Sequence, residues 1–168
     1  MTLPSVTHWK AWLLAGLLIS PCAVHSQDNP VLIGTVFKIT DGDTIKVQLT
    51  SGPINVRFDS IDAPESNQPH GAQAKAALAK LLDGQRVQLD VVTQDRYERV
   101  VAVVSVGDLN VNEQMVKSGH AWAYREYLKN KDYCRWEDQA RQQKRGLWAL
   151  KNTDWIYPSD WRRWRRKT

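Results

Sequence analysis

Apolar and polar residues alternate through Val31 to Ile39, at Ile45, Val47 and Leu49, at Ile54, Val56 and Phe58, and at Val87, Leu89 and Val91. This is the period of two that a half-buried strand requires. Val100 to Val106 is almost continuously apolar, as suits a buried strand. Between the third and fourth of these runs the period changes: Ala74, Ala77, Leu78 and Leu81 fall at helical spacing, with Pro69 near the start and Gly84 just past the end. A second helix is expected over Asn110 to Ser118, where Asn110 and Glu113 stand at capping-box spacing and Gly119 supplies the stop. Tyr133, Trp136, Ala140 and Leu147 suggest a third, closing at Gly146. Five strands with a helix between the third and fourth is the order of a five-stranded OB-fold barrel, an α+β class with about three helices.

The first 26 residues stand apart from this pattern. Lys10 precedes an apolar run from Ala11 to Val24, broken by Ser20-Pro21-Cys22, and Val24-His25-Ser26 offers small residues for cleavage. Residues 1–26 read as a secretory signal peptide, which places the mature chain in a periplasm or outside the cell. The run falls short of the roughly 20 apolar residues of a spanning helix, and an uncleaved anchor is the alternative. Pro21 directly before Cys22 suits a lipidation site badly. The remainder divides into one domain, residues 27–150, long enough to bury a core, and a basic tail rich in Trp and Arg, residues 151–168. Loss of Lys10 with the signal takes the formal net charge from +5 to +4, an excess that fits an anionic partner without requiring one. Cys134 is then the one thiol, so no intramolecular disulfide can form.

Charge placement adds chemistry to the barrel. Asp41, Gly42 and Asp43 open the second strand, and a two-residue turn at Ser51-Gly52 would set Asp43 opposite Ser60 and Asp41 opposite Asp62. The acids of both strands would then meet at the open end of the hairpin and raise one another's pKa unless something positive lay among them. Asp-Gly-Asp alone is also ordinary turn chemistry. An EF-hand is excluded, because Gly52 occupies the twelfth position from Asp41. Oxygen donors without a thiol or imidazole point to calcium or magnesium. In "IDAPES", Pro64 forces Ala63 towards an extended backbone and stiffens the link from Asp62 to Glu65; a capping stretch before the Pro69 helix is the plainer reading. "QDRYERVVAV" brings Arg96 and Arg99 between strands four and five, and Arg57 lies on strand three, so two or three guanidiniums could face the acids. Such forks match phosphate oxygens and stay charged. Acids suited to a cation, one carboxylate off it and neighbouring arginines together describe phosphoryl transfer.

Five segments, "DGDTIKV", "VRFDSIDAPE", "DRYERVVAVV", "VNEQMVKSGHAWAY" and "EDQARQQKRGLWA", stand in the order and at the intervals of the staphylococcal nuclease (thermonuclease) family, and the chain resembles it over nearly all of the mature sequence. That resemblance implies a calcium-dependent nuclease cutting DNA or RNA on the 5′-oxygen side to leave 3′-phosphates. It implies Asp43, Asp62 and the carbonyl of Ala63 as calcium ligands, Asp41 as an acid near the metal, Arg57 and Arg99 on the phosphate, and Glu65 as general base. Arg96, Tyr97, Tyr124 and Tyr127 are its candidates for holding nucleic acid, with Tyr127 at the family interval and Arg125 where a second tyrosine is expected. Ala63 replaces the family's usual threonine, Arg96 its lysine, and Glu98 the glycine before Arg99. No protein partner is implied, and a monomer is expected.

His70 and His120 stand at no ligand-like spacing, which argues against a zinc or histidine-base nuclease. Two rivals to the enzyme are a non-catalytic OB-fold module that binds nucleic acid and a secreted interaction protein directed to membranes by its tail. In "DWRRWRRKT", Trp161 and Trp164 sit three apart, so one helical turn would set both indoles on one side among cations. The tail is expected to add phosphate contacts outside the catalytic pocket, unless its tryptophans pack on the barrel.

Overall fold

The computed structural model describes residues 30–167; the expected signal, residues 1–26, lies outside them. Five strands close the barrel: β1 (Val31–Ile39), β2 (Thr44–Leu49), β3 (Gly52–Phe58), β5 (Arg86–Gln94) and β6 (Val100–Val106). Their order is β3-β2-β1-β5-β6, all antiparallel, and β3 closes onto β6 in parallel. Val36, Ile45, Val47, Val56, Phe58, Val87, Leu89, Ala102 and Val104 fill the interior, the inward half of each alternating run. Bulges at Phe37 of β1 and Val92 of β5 let long strands bend around so small a barrel.

Helix α1 (Gly71–Leu82) lies between the third and fourth barrel strands as its apolar spacing predicts, and buries Ala74, Leu78 and Leu82. A two-residue strand, β7 (Leu109–Asn110), leads into α2 (Val111–Lys117), whose N-terminus is capped by Asn110 Oδ1 accepting from the amide of Glu113. Helix α3 (Asp132–Gln142) stops short of Leu147, which belongs to a separate 3-10 turn, Gly146–Ala149. The interruption has a steric reason. Gly119 and Gly146 both have positive φ, and a Cβ on either would collide with the other's backbone segment, while Leu147 N–H donates to Gly119 O at 2.9 Å. The chain crosses over itself at two glycines and cannot continue as a helix.

The β2–β3 register differs from the expected one by two residues. Thr44 pairs with Arg57 and Leu49 with Gly52, so Thr50 and Ser51 form the turn. Gly52, at φ 126°, takes the glycine-only conformation at the first strand position instead. A two-residue offset preserves which face each side chain occupies, but it separates the expected acid pair. Asp43 O accepts from Phe58 N–H, and the chain then turns through Ser60 at φ 63°. Asp62 consequently lies on β4 (Ile61–Asp62), paired with β8 (Trp122–Ala123) and not with Asp41.

The C-terminal segment is the second departure. A 3-10 turn, Asn152–Asp154, is followed by a fourth helix, α4 (Pro158–Arg165), in which Pro158 stands in the first turn, where proline is tolerated. Trp122, Ala140, Leu147 and Trp148 form a small buried cluster against which Trp155 and Tyr157 pack. Edge-to-face contacts join Trp122 to Trp148 and Tyr157, and Trp148 to Trp155. Arg141 lies over the Trp148 ring at 4.1 Å. These contacts turn the chain back toward β4, so the tryptophan-rich end is docked on the fold.

Candidate active site

Gly42 is where the acid cluster begins. It is not one of the glycines with positive φ; a Cβ there would meet the side chains of Ala63 and Ala74 at 2.7 and 2.9 Å. The residue between the two aspartates is therefore small so that β2, the β4 segment and α1 can close on one another. That closeness lets the buried Asp43 Oδ2 accept from Ala63 N–H at 2.6 Å.

Arg57 then draws two acids together. Its Nη1 lies 3.0 Å from Asp43 Oδ2 and its Nη2 2.9 Å from Asp62 Oδ1, while Nη1 also donates to Phe58 O. The guanidinium is buried with them, its side chain 12% exposed. Burial opposes its charge, yet Asp43 and Asp62 hold its pKa above the ordinary arginine value. Asp62 is fully enclosed, and burial pushes its pKa up despite Arg57. Asp41 accepts from Asp43 N–H at 3.1 Å, and burial, followed by repulsion from Asp43, raises it to about 7. The cluster carries more negative charge than Arg57 relieves.

Glu65 sits at the edge of this cluster, in a loop fixed by its neighbours. Gln68 Oε1 accepts from Glu65 N–H, Gln68 N–H donates to Glu65 O, and a Cβ at Gly71 would collide with the Glu65 carbonyl. Gln68 is buried, and its Nε2 donates to Ile156 O at 2.6 Å, tying the loop to the C-terminal segment. Nothing in its sequence position marked Gln68; only the fold shows what it joins.

Arg162 of α4 is the second unanticipated participant. Its Nη1 lies 2.7 Å from Glu65 Oε1 and 3.2 Å from Asp62 Oδ1, and its Nη2 3.0 Å from Asp62 Oδ2. Asp62 and Glu65 hold the Arg162 pKa above the ordinary value against a larger opposing effect of burial. One of the tail's cations, Arg162, therefore enters the acid cluster, where the sequence placed the tail's contacts outside it.

Arg99 and Arg96, expected to face the same acids, make their contacts within their own hairpin. Arg99 Nη2 is 2.7 Å from Asp95 Oδ2, and Asp95 also accepts from the amides of Tyr97 and Arg99. The exposed Tyr97 ring is flanked by the guanidiniums of Arg96 and Arg99, 5.1 and 5.7 Å from its centroid. Glu98 has φ 61°, the left-handed conformation that a glycine adopts freely. Tyr124 and Tyr127 stack edge to face with centroids 4.8 Å apart, and Tyr124 stands close enough for Asp62, after burial, to raise its pKa. Tyr127 is exposed. Arg125 turns away to pair with the buried Glu137. His70 and His120, remote in sequence, meet at 2.9 Å between ring nitrogens.

The side-chain donors gathered at the barrel mouth are the carboxylate oxygens of Asp41, Asp43, Asp62 and Glu65. That set suits calcium or magnesium better than zinc. Among the described residues no three acidic, histidine or cysteine side chains form a ready coordination group; Asp43, Asp62 and Glu65 are each held by a guanidinium.

A closed five-stranded barrel with arginine-paired acids at one end defines a small OB-type domain. Residues 55–150 match the family described as Staphylococcal nuclease homologue, and the chain belongs to that family. It is 43% identical over 153 residues to an uncharacterized endonuclease of Haemophilus influenzae, covering 90% of this chain and 84% of that protein. It is 41% identical over 141 residues to a micrococcal nuclease of Shigella flexneri, covering 77% and 80%. A probable staphylococcal-like nuclease of Oryza sativa subsp. japonica is 42% identical over 108 residues, and the match spans 64% of this chain and 29% of that longer protein.

Proposed function

We propose that this protein is an exported, calcium-dependent nuclease that hydrolyses phosphodiester bonds of DNA or RNA and leaves 3′-phosphates. The observation that carries the reading is the convergence of Asp43 and Asp62 on one buried guanidinium, with Glu65 bridged to Asp62 through Arg162. The relatives named as nucleases support it.

Glu65 is the general base. Its side chain is 33% exposed, so water can reach it, and its loop is braced by Gln68. It takes a proton from a water whose oxygen bonds to phosphorus as the bond to the 5′-oxygen breaks; the electron pair leaves on that oxygen, which takes a proton from solvent. General base catalysis contributes about 10²–10⁴-fold, so charge stabilisation must supply much of the rest. Arg57 orients Asp43 and Asp62, and Arg57 and Arg99 offer N–H groups to the phosphoryl oxygens. Calcium, when bound by Asp43, Asp62 and the Ala63 carbonyl with Asp41 nearby, supplies positive charge to the phosphoryl group. Tyr124 and Tyr127 offer stacking surfaces for a base, and Arg96 and Tyr97 a further contact at the hairpin.

Purified mature protein incubated with single- and double-stranded DNA and RNA, with calcium and with EGTA, tests the reading. Calcium-dependent cleavage with phosphatase-sensitive 3′ ends is expected. Binding of nucleic acid without cleavage at any calcium concentration would overturn it in favour of a non-catalytic module.

A further inference from the structure

Beside Arg162 the surface opens into a cleft of about 330 Å³, lined by Glu65, Asn67, Trp161, Arg162, Arg165 and Arg166. Its α4 wall is anchored at several points. Gln68 holds Ile156, Tyr157 Oη donates to Ala123 O at 3.2 Å, and Trp161 Nε1 donates to Asn67 Oδ1 at 3.1 Å. Arg162, Arg165 and Arg166 line this open cleft together with Glu65, and Arg162 is also paired with Asp62. Arg163 is not part of the lining; it pairs with Asp160. Guanidinium forks match phosphate oxygens, and an indole offers a stacking face to any base.

We propose that this cleft is a substrate subsite of the nuclease reading above, on which the inference rests. It receives the phosphodiester flanking the scissile one, on Arg162, Arg165 and Arg166, with the adjoining base against Trp161. Arg162 couples that binding to catalysis. At 2.7 Å from Glu65 Oε1 it neutralises the base and obstructs approach to the oxygen that must accept a proton. Its side chain is 38% exposed against 12% for Arg57, so it has room to swing to an incoming phosphate while Arg57 stays in place. A polynucleotide thereby releases Glu65 by offering Arg162 another anion, and a substrate lacking the flanking phosphate leaves Glu65 held.

The test uses the mature chain, a fluorescein-labelled 12-nucleotide single-stranded DNA and a p-nitrophenyl ester of a single nucleotide. Anisotropy in EDTA measures binding of the 12-mer without cleavage. R165A/R166A should weaken that binding about tenfold or more and lower the slope of log Kd against log salt by about 1.4, two phosphate contacts on a single strand. If the double variant melts early, R166Q alone should lower the slope by about 0.7. R162A should raise turnover of the ester several-fold while its kcat/KM on the 12-mer falls, an opposed change that loss of structure does not produce. R163A should stay within twofold on every measure. An unchanged Kd and salt slope in R165A/R166A would overturn the subsite, and equal losses on both substrates in R162A would overturn the coupling. If the parent binds the 12-mer yet cleaves neither substrate, the nuclease reading fails, while anisotropy still decides the subsite.

Discussion

The barrel mouth and the β5–β6 hairpin each hold an arginine between carboxylate and solvent, but they satisfy their charges differently. In the hairpin, Asp95 serves Arg99 four residues away and caps the turn through the amides of Tyr97 and Arg99; these contacts lower its pKa despite a larger opposing effect of desolvation. At the mouth, Asp43 comes from the bend before β2, Asp62 from β4 and Arg162 from a helix 100 residues beyond Asp62. There burial outweighs pairing, and Asp41 and Asp62 are both raised. A local turn can satisfy its charges in full, whereas packing from distant segments holds the acids of the mouth together against burial and their mutual repulsion.

The sharpest way to break this contrast is through turnover. Glu65→Gln should lower kcat by about 10²–10⁴-fold with nucleotide binding largely retained, and Asp95→Asn should change kcat by less than tenfold. Single-turnover assays with a binding measurement check both, and a Glu65→Gln enzyme within a few-fold of the parent removes the base from Glu65. Stability should separate the two arginines next. Arg57→Ala leaves Asp43 and Asp62 buried without their shared partner and should cost about 3–5 kcal/mol, while Arg99→Ala, at a half-exposed pair, should cost under about 1 kcal/mol. Urea denaturation reads both values.

A smaller, graded effect belongs to the His70–His120 pair. Burial, and for His70 also His120, pushes His70 down to about 4; burial and then Lys80 lower His120. Their folded pKa values lie below the unfolded value of 6.5, so the associated stability is present above pH 6.5 and is lost as pH falls toward 4. Urea midpoints at pH 7.5, 6 and 5 should decline, and His70→Gln should flatten the decline. The smallest effect is at the hairpin. Glu98→Gly removes a left-handed glutamate costing about 1–2 kcal/mol, partly offset by about 0.5–1 kcal/mol of glycine entropy. The melting temperature should rise by about 1–4 °C; a fall would show that Glu98 makes a compensating contact.

The sequence by itself determined the barrel, because strand and helix periods are local and β1, β2, β3, β5, β6, α1 and α2 each carry their own period and stop signal. It also grouped Asp43, Arg57, Asp62 and Glu65, which the structure brings together through the guanidiniums of Arg57 and Arg162. The two-residue register offset was beyond it: Ser51-Gly52 is an acceptable turn, and only closure against β1 and β6 chose Thr50-Ser51. The pairing of Arg99 with Asp95, four residues away in the same turn, was not foreseen either. Arg162, Gln68 and the His70–His120 pair were decided by tertiary structure alone. Their partners lie 97, 88 and 50 residues away, and no local period encodes a contact made when the aromatic cluster of Trp122, Trp148, Trp155 and Tyr157 folds the chain's end back onto its beginning.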